Sequence, residues 1–144
     1  MRVADLMRTD VTTIGPDAPV AELVRAMADS HISGLPVIDA RGHMIGVVTA
    51  TDVLQAAAEG EDARARTRLF EHTTARDLMT STPQTIEPAA DVRQAAQHML
   101  YAEVRRLFVT DHGRLVGVIS QTDIAHAIGT GRLRIAGATV PGES

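Results

Sequence analysis

The run Gly46-Val47-Val48-Thr49-Ala50-Thr51-Asp52 returns as Gly117-Val118-Ile119-Ser120-Gln121-Thr122-Asp123, and this duplication limits the fold more than any other feature of the chain. The likeness extends well beyond those seven positions. Asp5-Leu6-Met7 returns as Asp77-Leu78-Met79, Thr13-Ile14 as Thr85-Ile86 and Pro16 as Pro88, all at one constant offset. Val20, Met27, Leu35, Val37 and Asp39 keep the same offset to Val92, Met99, Leu107, Val109 and Asp111. One residue is lost after Asp111, and the match resumes through Gly42 and Gly113 to the two Thr-Asp pairs. A period of this kind marks a repeat architecture, and each copy is one supersecondary unit.

Each copy reads as the same series of elements. A short helical turn ends at Met7 or Met79, and an extended stretch follows, Val11 to Ile14 or Gln84 to Ile86. The chain then breaks at Gly15-Pro16-Asp17 or Glu87-Pro88. Val20, Leu23, Val24, Met27 and Ala28 carry the spacing of one helical face, repeated by Val92, Ala95, Ala96, Met99 and Leu100. Leu35 to Ile38 and Met44 to Thr49 form a hairpin around a Gly-containing loop, as do Leu107 to Thr110 and Leu115 to Ser120. A closing helix runs from about Thr51 to Glu59 and from about Thr122 to Ile128. The expected divisions are residues 1–54 for the first repeat, 55–74 for a partly helical, charge-rich linker, 75–128 for the second repeat and 129–144 for a tail. Within the linker the Leu69-Phe70 pair would anchor on a neighbour, and Arg132 to Val140 could add a strand.

A half of this size buries too little surface to be stable alone, so the two halves should pack together. Related copies pack most simply about an approximate two-fold axis, which would duplicate any cleft beside it. The fold class expected is therefore α/β (α+β), with two β-α-β-β-α repeats in pseudo-two-fold arrangement.

Composition narrows the function. A net charge of −4 argues against binding a phosphate backbone, so nucleic acid is a poor partner. With no cysteine, disulfides, thiolate catalysis and cysteine metal sites are excluded. Asp5 stands where a signal peptide needs an apolar run, and no stretch approaches the roughly 18 apolar residues of a membrane span, so a cytoplasmic location and no membrane partner are expected. His31, His43, His72, His98, His112 and His126 show no metal-ligand spacing, and neither a phosphate-binding P-loop nor a G-x-G-x-x-G pattern is present, which argues against an enzyme.

Taken together, the paired Asp-Leu-Met openings, the segments Leu35-Pro36-Val37-Ile38-Asp39 and Leu107-Phe108-Val109-Thr110-Asp111, and the two Gly-to-Asp runs resemble a tandem cystathionine-β-synthase (CBS) domain pair, or Bateman module. The resemblance covers residues 3 to about 128. It implies two clefts that take adenosine compounds such as AMP, ADP, ATP or S-adenosylmethionine as regulatory ligands, with no cofactor required. It also implies a homodimer of two modules, and control of some unidentified target protein, because no enzyme, channel or transporter sequence accompanies the pair.

On that resemblance Asp52 and Asp123 sit where a carboxylate accepts hydrogen bonds from both ribose hydroxyls, with Thr49, Thr51, Ser120 and Thr122 as hydroxyl contacts to ribose or phosphate. The following helix would turn its first N–H groups towards a phosphate. The same residues, Thr49-x-x-Asp52 and Ser120-x-x-Asp123, also read as helix caps that need no ligand. With Phe70, Tyr101 and Phe108 the only aromatics, adenine would be held by backbone and aliphatic groups. The candidates are Thr13, Ile14, Ile32, Ser33, Gly34, Leu35 and Pro36 in one half and Thr85, Ile86, Val104, Arg105, Arg106, Leu107 and Phe108 in the other. Most of these Ile, Leu and Val residues serve equally well as core. Arg105 and Arg106 occupy the positions of Ser33 and Gly34, so one cleft alone would offer them to phosphate; a surface ion pair is the other use for each. His31, beside the first cleft, reads as an ordinary surface residue.

Overall fold

The computed structural model describes residues 1–81 and 83–134, so the strand expected over Arg132 to Val140 lies largely outside the described residues. In chain order the elements are α1 (Val3–Leu6), α2 (Val20–Ser30), β1 (Gly34–Ile38), β2 (Met44–Thr49), α3 (Ala50–Ala58), α4 (Ala63–His72), α5 (Ala75–Leu78), β3 (Thr85–Ile86), α6 (Val92–Ala102), β4 (Arg106–Asp111), β5 (Arg114–Ser120) and α7 (Gln121–Gly129). The mixed α/β class read from the sequence is what the chain adopts. The elements gather into two compact units, one of Thr12–Pro83 and one of Met1–Val11 with the chain from Gln84 onward. The opening segment of each repeat therefore belongs to the unit built by the other.

In the unit of Thr12–Pro83, β1 and β2 form a two-stranded antiparallel sheet in which Gly34 faces Thr49, Leu35 faces Val48 and Val37 faces Gly46. The expected extended stretch before Gly15 contributes a single parallel bridge, with the Ile14 N–H donating to the Pro36 carbonyl at 3.0 Å. The core contains Val20, Leu23 and Met27 of α2, Leu35 and Val37 of β1, Val48 of β2, Leu69 and Ala75. Of the Leu69-Phe70 pair, Leu69 enters this core and Phe70 stays exposed.

The other unit repeats the plan with one more strand: β3 lies parallel to β4, and β4 antiparallel to β5, with Arg106 facing Ser120 and Val109 facing Gly117. Val92, Ala95 and Met99 of α6 pack with Val3 and Leu6 of α1, with Leu107, Val109 and Ile119 of the sheet, and with Ile124 and Ala127 of α7. The apolar stripes of α2 and α6 are narrower than their spacing suggested. Val24 and Leu100, one turn beyond Val20 and Ala96, are exposed. A small sheet covers only the residues at three- and seven-residue intervals from Val20 and Val92, and leaves the neighbouring edge of each helix in solvent.

The opening segments are tied in by hydrogen bonds that match between the units. Val3 and Ala4 donate to the carbonyls of Ala90 and Pro88, as Ala75 and Arg76 donate to those of Ala18 and Pro16. Each segment then runs across the sheet. Arg8 exchanges two backbone bonds with Val118, at 2.8 and 2.9 Å, and Thr80 exchanges two with Val47, at 2.8 and 3.0 Å.

These crossings explain the glycine that opens each duplicated run. A Cβ on Gly46 would lie 2.6 Å from Met79 Sδ and 2.7 Å from the Thr80 carbonyl oxygen. On Gly117 it would lie 2.8 Å from both the Arg8 carbonyl oxygen and Met7 Sδ. The thioether can swing aside, but the backbone carbonyl is pinned by the bridge. We expect Gly46→Ala and Gly117→Ala each to destabilise the fold by about 1–3 kcal/mol, the usual cost of overpacking. Urea unfolding of each variant checks this, and an unshifted midpoint would contradict the steric account.

Candidate functional site

Each unit brings the Gly-to-Asp run to a corner where a strand ends and a helix begins at once. At the first corner Thr49 is the last residue of β2 and the N-cap of α3. Its hydroxyl accepts from the Asp52 N–H at 3.2 Å, and Asp52 Oδ2 accepts from the Thr49 N–H at 2.8 Å. At the second corner Ser120 caps α7 in the same way, with its hydroxyl 3.1 Å from the Asp123 N–H and Asp123 Oδ2 2.9 Å from the Ser120 N–H. Both are reciprocal capping boxes, which satisfy two backbone donors with two side chains. The helices start one residue earlier than their apolar pattern implied, because the hydroxyl residue serves as the cap.

One further backbone donor of each helix is satisfied locally. The Ala50 N–H donates to the Ser33 carbonyl at 2.8 Å, and the Gln121 N–H to the Arg105 carbonyl at 2.9 Å. Ser33 and Gly34, and equally Arg105 and Arg106, thus stand beside the cap, and Arg106 directly faces Ser120 across the ladder. Thr51 and Thr122 are exposed in the first helical turn, and Ile32, Val104, Thr85 and Ile86 are half-buried. Thr13 and Ser33 are exposed.

Other candidates are committed to the cores. Leu35 and Leu107 are wholly buried, Pro36 almost so, and Ile14 and Phe108 expose 6% and 7% of their surface. Their side chains are held against neighbours within the sheets and helices, so only their backbone atoms could meet a ligand without repacking. His31 is exposed in the left-handed conformation that ends α2 (φ 53°), as Glu103 is at the end of α6 (φ 57°).

The two carboxylates differ in their remaining oxygen. Asp52 Oδ1 accepts no hydrogen bond and no ion pair from the described residues. Asp123 Oδ1 accepts from the Nε of Arg8 at 3.1 Å. Asp123 is largely buried, with 11% of its side chain exposed, whereas Arg8 is 70% exposed. Arg8 reaches this corner because its segment crosses β5 at Val118, two residues before the cap. A cleft here is lined by Leu6, Arg8, Thr122, Asp123, His126 and Arg132. Arg105 and Arg106, expected to furnish guanidinium groups, are not in its lining. The sequence reading missed Arg8 and Arg132. The signal was available in the repeat itself, since their matched positions hold Thr80 and Glu61.

A family model described as the CBS domain matches residues 3–59 and, a second time, residues 75–130. The chain belongs to the CBS domain family. The CBS domain-containing protein YhcV of Bacillus subtilis is 27% identical over 124 residues, spanning 85% of this chain and 82% of its own. The uncharacterized protein MJ1225 of Methanocaldococcus jannaschii is 26% identical over 128 residues, 89% of this chain, and the chain spans only 43% of that protein's length. Among solved structures, CBSX2 of Arabidopsis thaliana in complex with AMP is 25% identical, with a TM-score of 0.77 covering 92% of this chain and 98% of that one. Among the described residues no helix is long and apolar enough to cross a membrane.

Because the CBS corners are capping boxes in their own right, their carboxylates should stabilise the chain with no ligand present. Asp52→Ala is expected to cost about 1 kcal/mol, within the roughly 0.5–2 kcal/mol of lost caps. Asp52→Asn, which keeps an acceptor for the Thr49 N–H, should cost less than half of that. Chemical unfolding of both variants without ligand tests the assignment, and equal midpoints for Asp52→Ala and the parent would refute it.

Proposed function

We propose that this chain is a regulatory module whose Gly-to-Asp corners take an adenosine-containing ligand, with AMP, ADP, ATP and S-adenosylmethionine as the compounds to consider. The observation that carries the reading is the carboxylate left half open at the first corner. Asp52 spends Oδ2 on the cap, while Oδ1 has no partner from the described residues. An ionised carboxylate in that state suits the adjacent hydroxyls of a ribose, both of which donate. Support comes from a relative of the same fold, since CBSX2 is in complex with AMP. At each corner the adenine would meet the backbone beside that corner's own cap, Ser33–Pro36 in one unit and Val104–Phe108 in the other. On this reading the module responds to ligand concentration without transforming the ligand, and passes the response to a target protein.

A second reading has an observation of its own. Both carboxylates close capping boxes, which gives them a structural reason to be present in a module that holds no nucleotide and serves as a protein-interaction unit. Small molecules released from protein purified without added ligand distinguish the two. A stoichiometric adenosine compound identified by mass spectrometry removes the second reading.

The assembly we propose is a homodimer of two modules. It is supported by the apolar edges that the small sheets leave uncovered: Val24 on α2, and on α6 Leu100 and Tyr101, which are 74% and 92% exposed. Light scattering should return twice the chain mass of 15.3 kDa, and a strict monomer refutes the dimer.

Titration calorimetry with AMP, ATP and S-adenosylmethionine tests ligand binding. Asp52→Asn and Asp123→Asn, which leave the caps in place, should each weaken the site they belong to by about tenfold to a hundredfold, the worth of a charged hydrogen bond at roughly 1.5–3 kcal/mol. Absence of heat with all three compounds would sink the proposal.

A further inference from the structure

We propose that the two corners have diverged in charge so that the cleft beside Asp123 selects its ligand by a phosphate, with Arg8 as the residue that makes the selection. The inference rests on the reading of Asp123 as a ribose contact and goes beyond it by stating which ribosyl compounds that cleft admits.

A ribose would need acceptor capacity on the carboxylate oxygens. At Asp123 the Oδ2 atom is held by the Ser120 N–H, and Oδ1 is held by Arg8. A ribose hydroxyl would have to share Oδ1 with the guanidinium, and an uncharged nucleoside offers that guanidinium nothing in return. A phosphate changes that balance. Among the described residues the one side-chain hydrogen bond of Arg8 is from Nε to Asp123, so its terminal nitrogens keep donors to spend, and a planar guanidinium binds phosphate oxygens in a two-pronged fashion. Being 70% exposed, Arg8 can swing from carboxylate to phosphate with little loss of packing. Its move would leave more of Oδ1 to the ribose.

Arg132 adds a second positive charge to the same cleft. Its terminal nitrogen donates to the Asp5 carbonyl at 3.3 Å, which leaves most of its five donors unspent. Arg8, Arg132 and His126 thus face a single carboxylate in the cleft lining. The cleft measures about 270 Å³, below the roughly 300–1,000 Å³ of pockets that enclose a whole ligand.

The first repeat provides the internal contrast. The residues matched to Arg8, His126 and Arg132 are Thr80, Gln55 and Glu61, two neutral groups and an acid in place of three basic side chains. Thr80 keeps the backbone crossing of Arg8, with two bonds to Val47, but brings no charge to Asp52. The crossing has been retained in both units, and its side chain has not. Phosphate selection is accordingly a property of the Asp123 cleft alone.

The test uses the full chain carrying Asp52→Asn, so that the Asp123 cleft dominates the binding signal, and titrates it with adenosine and with AMP. AMP should bind at least about tenfold more tightly than adenosine. Arg8→Met, in which the backbone bridge is free to persist, should weaken AMP by about tenfold while leaving adenosine unchanged or tighter, so that the preference nearly disappears. Arg8→Lys should retain part of it, because charge survives without the planar fork. Thermal melting of each variant confirms that the unit remains folded. Equal weakening of both compounds, or a preference unaltered by Arg8→Met, would overturn the assignment. Failure of both compounds to bind even when Arg8 is intact would instead bring down the ribose reading itself, and this inference along with it.

Discussion

The close passage of one backbone over another at Gly46 and Gly117 is the contact on which the remaining structure depends. A chain segment can lie flat across a β-strand at this distance only where no side chain intervenes, and in each unit the segment that does so comes from the other repeat. Its hydrogen bonds to Val47 or Val118 fix where it lies. That position decides which residue stands beside the helix cap two residues further on. Arg8 stands at the Asp123 corner, and Thr80 holds the matching place in the other unit, because of which residue rides on each crossing.

The capping boxes make the corners rigid before any ligand is considered. Thr49 and Ser120 end a strand and begin a helix in the same residue, and the carboxylate three positions later locks the turn through the backbone. A site built in this way has its carboxylate oriented by the fold, so little conformational freedom is left to lose on binding. It also means that a binding use of Asp52, as proposed, would not compete with its structural use, because the two fall to different oxygens. One oxygen holds the cap and the other is available, or in the second unit is already spoken for by Arg8.

Much of this was legible in the sequence. The hairpins, the two long helices and the duplicated corners all follow from apolar spacing and the repeat, because each is a local pattern bounded by glycine or proline. The reading failed where a residue's role is set by chain that is distant in sequence. Val24 and Leu100 fit a buried stripe by periodicity alone, but the sheet beneath them is too small to cover that edge. Leu35 and Phe108 looked available to a ligand because strand residues next to a binding motif so often are, yet both faces of these short strands are packed. Arg105 and Arg106 draw notice because they occupy the positions of Ser33 and Gly34 in the repeat. Arg8 and Arg132, which line the cleft, come to it from the chain's opening segment and from beyond the last helix, and no local pattern announces them.

The exchange of opening segments has a consequence for how such a chain could have arisen. A single repeat on its own would carry a glycine track with nothing to lie in it, and an opening segment with no track to enter. Two separate copies could meet that need only by lending segments to each other, as swapped partners do. Joining the copies through α4 turns a loan between molecules into a contact within one. Once the lender and the borrower are encoded separately, each track can accept a different visitor, and Arg8 in one and Thr80 in the other record that freedom.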